Sequence, residues 1–280
     1  MEPETLFLLD RNAVSLIKDA VAGREPLNAK KQANLATLRA LDVPQHGITA
    51  LLSIMEGARG AADSVEEKIE CLVEETNAIA YFFLLASTDA VYLRVLSDSV
   101  AQLFTSSRES QWDEREHFLV EAASLVVHKV AVSKRRGVEN KLVQLALEIG
   151  LAANDVIVML FLACLYGNDA ARKVIKPKKP NAYNVLSDVH AISRVGMVKA
   201  AAKFLPRPIK VRFHTFDEGL LNVLRHVSIV HTQFTSAGGL AMQIRYDPRL
   251  FTELAATESI ALLYRLENAA VTGTLLASVE

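Results

Sequence analysis

The sequence predicts an α/β fold: a mainly parallel central sheet covered by helices, with a large helical insertion. Three observations predict it. Strand-like segments that end in an acid stand near both ends of the chain, "LFLLD" at 6–10 and "VRFHTFD" at 211–217. Each is followed by a stretch of helical periodicity, and strand–helix alternation marks parallel strands joined by helical crossovers. Between these ends, residues 64–150 hold no Pro and almost no Gly, so that block reads as helical throughout.

The elements follow in order. "LFLLD" is apolar throughout, which fits a strand buried on both faces. "RNAVSLIKDAVAG" sets Ala13, Leu16, Ile17, Ala20 and Val21 on one helical face, with Gly23 as a stop. A second helix runs over 29–41, and Pro44 and Gly47 punctuate it. "ITALLSIMEG" has Ile48, Leu51, Leu52 and Met55 at helical spacing, with Glu56 beside that face. "VEEKIECLVEETNAIAYFFLLAST" is a long amphipathic helix whose second half turns apolar all round and should be buried. "DAVYLRVLSDSVAQLF" continues as helix, and the polar "TSSRESQWDERE" is a loop or helix start. "HFLVEAASLVVHKVAV" and "VENKLVQLALEIGL" are two more helices, split by a basic turn, "SKRRG". "NDVIVMLFLACLYGN" is a buried helix capped by Asn154 and stopped by Gly167. "NAYNVLSDVHAISRVGMVKAAAKFL" turns Val185, Leu186, Val189, Ile192 and Val195 inward. "SIVHTQF" and "LAMQIRYD" are strands around a hairpin loop, "SAGG", and "SIALLYRLENAAV" is a closing helix.

In sheets of this kind ligands bind just past the carboxyl ends of the strands. Asp10 and Asp217 both fall there, although an Asp at such a place is also a common helix cap. Four segments taken together resemble the motifs of the PIN and PIN-like nucleases: "LFLLDRNAVSLI", "LLSIMEG", "NVLSDVHAISRV" and "VRFHTFDEGLL", in that family's order. The resemblance implies that Asp10, Glu56, Asp188 and Asp217 gather at one end of the sheet, as catalytic residues and as ligands of Mg2+ or Mn2+. Asn12 and Thr215 match its supporting polar positions. Clustered carboxylates raise one another's pKa unless a cation neutralises them, and hard divalent ions take oxygen ligands. The resemblance thus implies metal-dependent hydrolysis of phosphodiester bonds, most often in RNA, and by analogy a toxin or defence effector.

The chain also departs from that pattern. About 130 residues separate Glu56 from Asp188, and most are helical. The expected division is a nuclease domain over 1–63 and 151–280, interrupted by a helical lobe over 64–150. Asp155, at the head of another helix, is an alternative third acid. Arg172, Lys173, Lys176, Lys178 and Lys179 make a basic segment that either grips a nucleic-acid backbone or is a solvated charge run. Arg11, beside the first acid, either binds phosphate or is solvated.

Bulk properties exclude several classes. With 51% apolar residues the chain can bury a substantial core. A net charge of -1 rules out a uniformly basic nucleic-acid coat, though not a local basic channel. Cys71 and Cys164 both sit in apolar helical patterns, the mark of small buried hydrophobes in a reducing compartment. Glu2 and Glu4 replace the basic start of a secretory signal. The most apolar stretch, at 156–166, is too short to span a bilayer. These features imply a cytoplasmic protein off the membrane, with a homodimer or a regulatory protein as further partners. No P-loop, dinucleotide or nucleophile-elbow motif is present, nor any Cys/His zinc spacing. The rival to the enzyme is a non-enzymatic helical interaction module, or an inactive scaffold of the same fold.

Overall fold

The structure, a computed structural model, describes residues 3–24, 26, 28–57, 63–106, 111–234 and 240–272. The "SAGG" loop at 236–239 lies outside them. The chain divides into two compact units. The first comprises Met1–Arg108, Ser193–Phe216 and Thr232–Ala241, and the second Glu109–Ile192, Asp217–His231 and Met242–Glu280. The stretch 64–150 is therefore shared between the two units, and its first helices pack on the sheet.

The first unit is built on a four-stranded parallel sheet. Its strands are β1 (Thr5–Leu9), β2 (His46–Thr49), β3 (Ser87–Thr88) and β4 (Lys210–His214), in the order β3-β2-β1-β4. Its helices include α1 (Arg11–Val21), α2 (Ala29–Arg39), α3 (Leu51–Glu56), α4 (Val65–Phe82), α5 (Ala90–Val95) and α6 (Ser97–Ser106). The alternation of side chains along β1 places two cores. Phe7 and Leu9 enter a cluster with Ile17 of α1 and Leu72 and Ile79 of α4. Leu8 enters a second with Leu52 and Val195. Successive strand residues point to opposite faces, so helices cover both sides of the sheet.

The second unit holds α7 (Trp112–Val126), α8 (Val132–Ile149), α9 (Val156–Leu165), α10 (Asp169–Ile175), α12 (Glu218–Leu224) and α13 (Ala256–Thr272). All ten residues of α9 are buried, and Phe161 meets Phe118 of α7 edge to face at 5.3 Å. Helix α11 (Ala182–Ala202) and the paired strands β5 (Val227–Phe234) and β6 (Leu240–Tyr246) contribute to both units. Val185, Leu186, Val189, Ile192 and Val195 of α11 are buried, as their spacing predicts. No helix among the described residues is long and apolar enough to cross a membrane.

Four expectations are corrected. Gly47, Ile48 and Thr49 form strand β2 rather than the start of a helix, because β1 offers them a parallel partner from Leu6 to Leu8. Helix α4 stops at Phe82, and its end is not buried all round: Tyr81 is 75% exposed. The stop has a visible cause. The Asp42 carboxylate accepts from the N–H groups of Leu84, Leu85 and Ala86 at 2.7–3.1 Å, turning the chain toward β3. "SKRRG" is no turn but the first part of α8, where Arg135 and Arg136 pair with Glu253 and Glu139. The cap of α9 is Asp155, not Asn154.

Candidate functional site

The candidate site of the first unit grows from the end of β1. Asp10 follows the strand in extended conformation and caps α1, its Oδ1 accepting from the Ala13 N–H at 2.7 Å. Its backbone N–H donates to the His214 carbonyl at 3.1 Å, so the pairing of β1 with β4 extends to this acid. Thr215, one residue past β4 and 4% exposed, donates its hydroxyl to the second carboxylate oxygen of Asp10. Each carboxylate oxygen thereby has its own donor. Asn12, the other expected supporting residue, is exposed on the first turn of α1, and no hydrogen bond links it to Asp10 among the described residues.

Glu56 is the last residue of α3 and is partly buried. Burial pushes its carboxyl up; Arg194 and Arg11 pull it down, and Asp10 and Glu75 push it up further. These five side chains form one electrostatic group at the carboxyl edge of the sheet. The end of α3 is held from below. Lys68, 3% exposed, donates to the carbonyls of Ile54 (3.4 Å) and Met55 (3.2 Å) and pairs with Asp63 at 3.5 Å. Gly57 turns the chain there at φ +73. A Cβ at this position would lie 2.1 Å from the Asp63 carboxylate and 2.2 Å from the Lys68 ammonium.

Glu75 is the member that sequence reading missed. It lies on α4, accepts from the Ser53 hydroxyl at 3.0 Å and from the Cys71 thiol at 3.4 Å, and is buried. Burial pushes its carboxyl up, against those two hydrogen bonds and the charges of Arg11 and Lys18. In sequence it is hidden among Glu66, Glu67, Glu70 and Glu74, which read as a solvated face. The signal was its phase: Leu72, Glu75, Thr76 and Ile79 fall on the buried stripe of the helix. Burial also pushes the Cys71 thiol up to about 12, which keeps it a protonated donor to Glu75.

The other expected site residues belong to the second unit. Asp217 caps α12, accepting from the Leu220 N–H at 2.8 Å. Asp188 is partly buried on α11. Asp155 is bound on both oxygens by the Arg115 guanidinium, at 2.8 Å for the shortest contact, while Oδ1 also caps α9. That commitment accounts for Asp155 as a structural acid. Arg172 points its guanidinium at the carbonyls of Val126 (2.7 Å) and Cys164 (3.3 Å), at the ends of α7 and α9. It is thus a helix-end donor, and Lys173, Lys176, Lys178 and Lys179 are the exposed cations of the basic segment.

No protein-family model matches this chain, and comparisons with curated proteins and with solved structures found no match. The donor set of the first-unit site is made of hard carboxylate and hydroxyl oxygens, which suits a hard divalent cation. Among the described residues, no three His, Cys, Asp or Glu side chains converge into a closed ion-binding group. Mg2+ is commonly held by one or two carboxylates together with water and substrate phosphate, so an open arrangement fits that ion class.

Proposed function

We propose that this protein is a PIN-like, metal-dependent ribonuclease. One observation carries the reading: a partly desolvated group of acids, Asp10, Glu56 and Glu75, at the carboxyl edge of a parallel sheet, with Glu56 and Glu75 held above the ordinary carboxylate range. Acids in that condition gain from a cation. Asp10 and Glu56 would hold Mg2+ or Mn2+, which supplies, when bound, an activated water and charge stabilisation at phosphorus. Thr215 and the Ala13 N–H fix the Asp10 carboxylate, so its lone pairs meet the ligand without rearrangement. Arg194, 7% exposed, tempers the negative charge of Glu56.

The test is cleavage of a labelled single-stranded RNA by the purified protein with Mg2+, with Mn2+ and with EDTA. Asp10→Asn is expected to lower the rate on the order of a thousandfold with the melting temperature little changed. Equal cleavage by wild type and Asp10→Asn, or cleavage indifferent to EDTA, overturns the reading. A second reading, a protein-interaction module, draws on one observation: Tyr81, Leu84, Leu85, Val91, Tyr92 and Val95 are all exposed. It is the reading left if neither ion supports cleavage.

A further inference from the structure

Charge is unevenly spread along this chain. Of its 31 Lys and Arg, ten fall in residues 126–141 and 170–180; of its 32 Asp and Glu, Glu139 alone does. Both segments belong to the second unit, and two contacts join them. The Arg172 guanidinium of α10 donates to the carbonyls of Val126 at 2.7 Å and Val127 at 3.4 Å, where α7 ends and the first segment begins. Glu253 makes the other contact. Its carboxylate holds Lys129 at 2.6 Å and Arg135, and its backbone N–H donates to the Tyr166 carbonyl at 2.9 Å. Its side chain lies so close to Gly167 that a Cβ there would meet it at 2.5 Å. Gly167 directly precedes Asn168, the cap of α10. Two basic segments far apart in sequence are thus held together on one unit.

Only part of this charge holds the fold. Arg172 is engaged by carbonyls, Lys129 and Arg135 by Glu253, and Arg136 by Glu139. Lys134, Lys173, Lys176, Lys178 and Lys179 are exposed, and none of them makes an ion pair among the described residues. Like charges gathered without acids repel one another. A polyanion relieves that repulsion and releases its own counterions on binding. The two segments hold no Phe, Tyr or Trp, so they offer no ring for a base to stack on. Lysine is a flexible point charge, suited to phosphate oxygens rather than to the fixed pattern of a base edge. A duplex carries a phosphate charge about every 1.7 Å of its axis, against about 3.3 Å per residue for an extended acidic polypeptide. We propose that this basic face of the second unit docks the double-stranded stretches of an RNA, by their phosphates and without reading sequence. The choice of RNA rests on the ribonuclease reading; the face itself does not.

Fluorescence anisotropy of the full chain tests it, in EDTA, with two labelled RNA duplexes of equal length and unrelated sequence. Both are expected to bind alike, with an affinity that falls steeply as salt rises. The combined variant Lys173→Gln, Lys176→Gln, Lys178→Gln, Lys179→Gln is expected to bind on the order of a hundredfold more weakly at low salt, with a salt slope shallower by about three. Arg at the same four positions is expected to restore binding. Unchanged binding by the Gln variant overturns the face. So does a preference of about tenfold or more for one sequence, or equal competition by polyglutamate or by phosphatidylserine vesicles. If the Gln variant loses the duplex but wild type cleaves RNA with neither Mg2+ nor Mn2+, the docking face stands and the ribonuclease reading falls. If wild type cleaves and the Gln variant binds as wild type does, the reverse holds.

Discussion

Two sets of acids in this protein are treated in opposite ways. In the second unit, Glu139 is 2% exposed and accepts from Arg136, from Arg265 at 2.9 Å and from the Tyr166 hydroxyl. Glu253, an exposed acid, receives Lys129 at 2.6 Å and Arg135, and its carboxyl is lowered because of them. In the first unit, Glu75 has only a hydroxyl and a thiol, both on one oxygen, and Glu56 is raised despite two arginines. A buried charge met by several donors holds helices together. A buried charge met by few is an unfinished interaction, and unfinished interactions are where ligands gain most.

The largest expected effect comes from breaking the finished set. Glu139→Ala leaves Arg136, Arg265 and the Tyr166 hydroxyl without their common acceptor, and urea unfolding should show a loss of about 3–5 kcal/mol. The same experiment on metal-free Glu75→Gln should show little loss, since the substitution removes a poorly compensated charge. Equal losses would erase the contrast between the two regions.

Asp89 sharpens the comparison through pH. It stands just past β3, and burial pushes its carboxyl up to about 6 from 3.8, with a Thr49 hydrogen bond opposing. The unfolded chain therefore releases this proton first, and stability falls as pH rises from 3.8 to about 6. Asp89→Asn should be the more stable protein above that window by up to about 3 kcal/mol, with the difference closing in acid. Melting curves across the window check this, and parallel curves for the two proteins would contradict it.

Asp42 is the small effect of opposite sign. Burial raises its carboxyl, but the N–H groups of Ala86, Leu84 and Leu85 outweigh burial and leave it below the usual value. Its contribution is present at neutral pH and is lost as pH falls through that lowered value. Asp42→Ala should cost about 1–2 kcal/mol at neutral pH, read as a lower melting temperature, and nothing in strong acid.

Much of this fold was legible because its local signals agree with its packing. "LFLLD" and the helix after it keep one reading at every level, from apolar run to capped helix start. Asp10 was legible for the same reason, and Thr215 by its place past the second clear strand. Where the reading went astray, a tertiary partner overrode the local pattern. Ile48 sits at helical spacing with Leu51 and Leu52, but β1 claims it for the sheet. Nothing near Phe83 announces a helix stop, because the group responsible, Asp42, is some forty residues away along the chain. "SKRRG" reads as a turn by charge, yet its arginines find acids at Glu139 and Glu253 that periodicity does not reveal. Arg172 and Lys173 are indistinguishable as letters; one binds carbonyls and the other faces water.

The bend after Glu56 has a consequence for how this gene can drift. Position 57 stands at φ +73, where any side chain is strained, and a Cβ there meets the Asp63 carboxylate and the Lys68 ammonium, a buried ion pair that would have to move. Single-nucleotide changes that replace this glycine would be selected against, whatever chemistry the neighbouring acid performs. Invariance at 57 across related genes would then record the tightness of a corner, and should not be counted as support for catalysis.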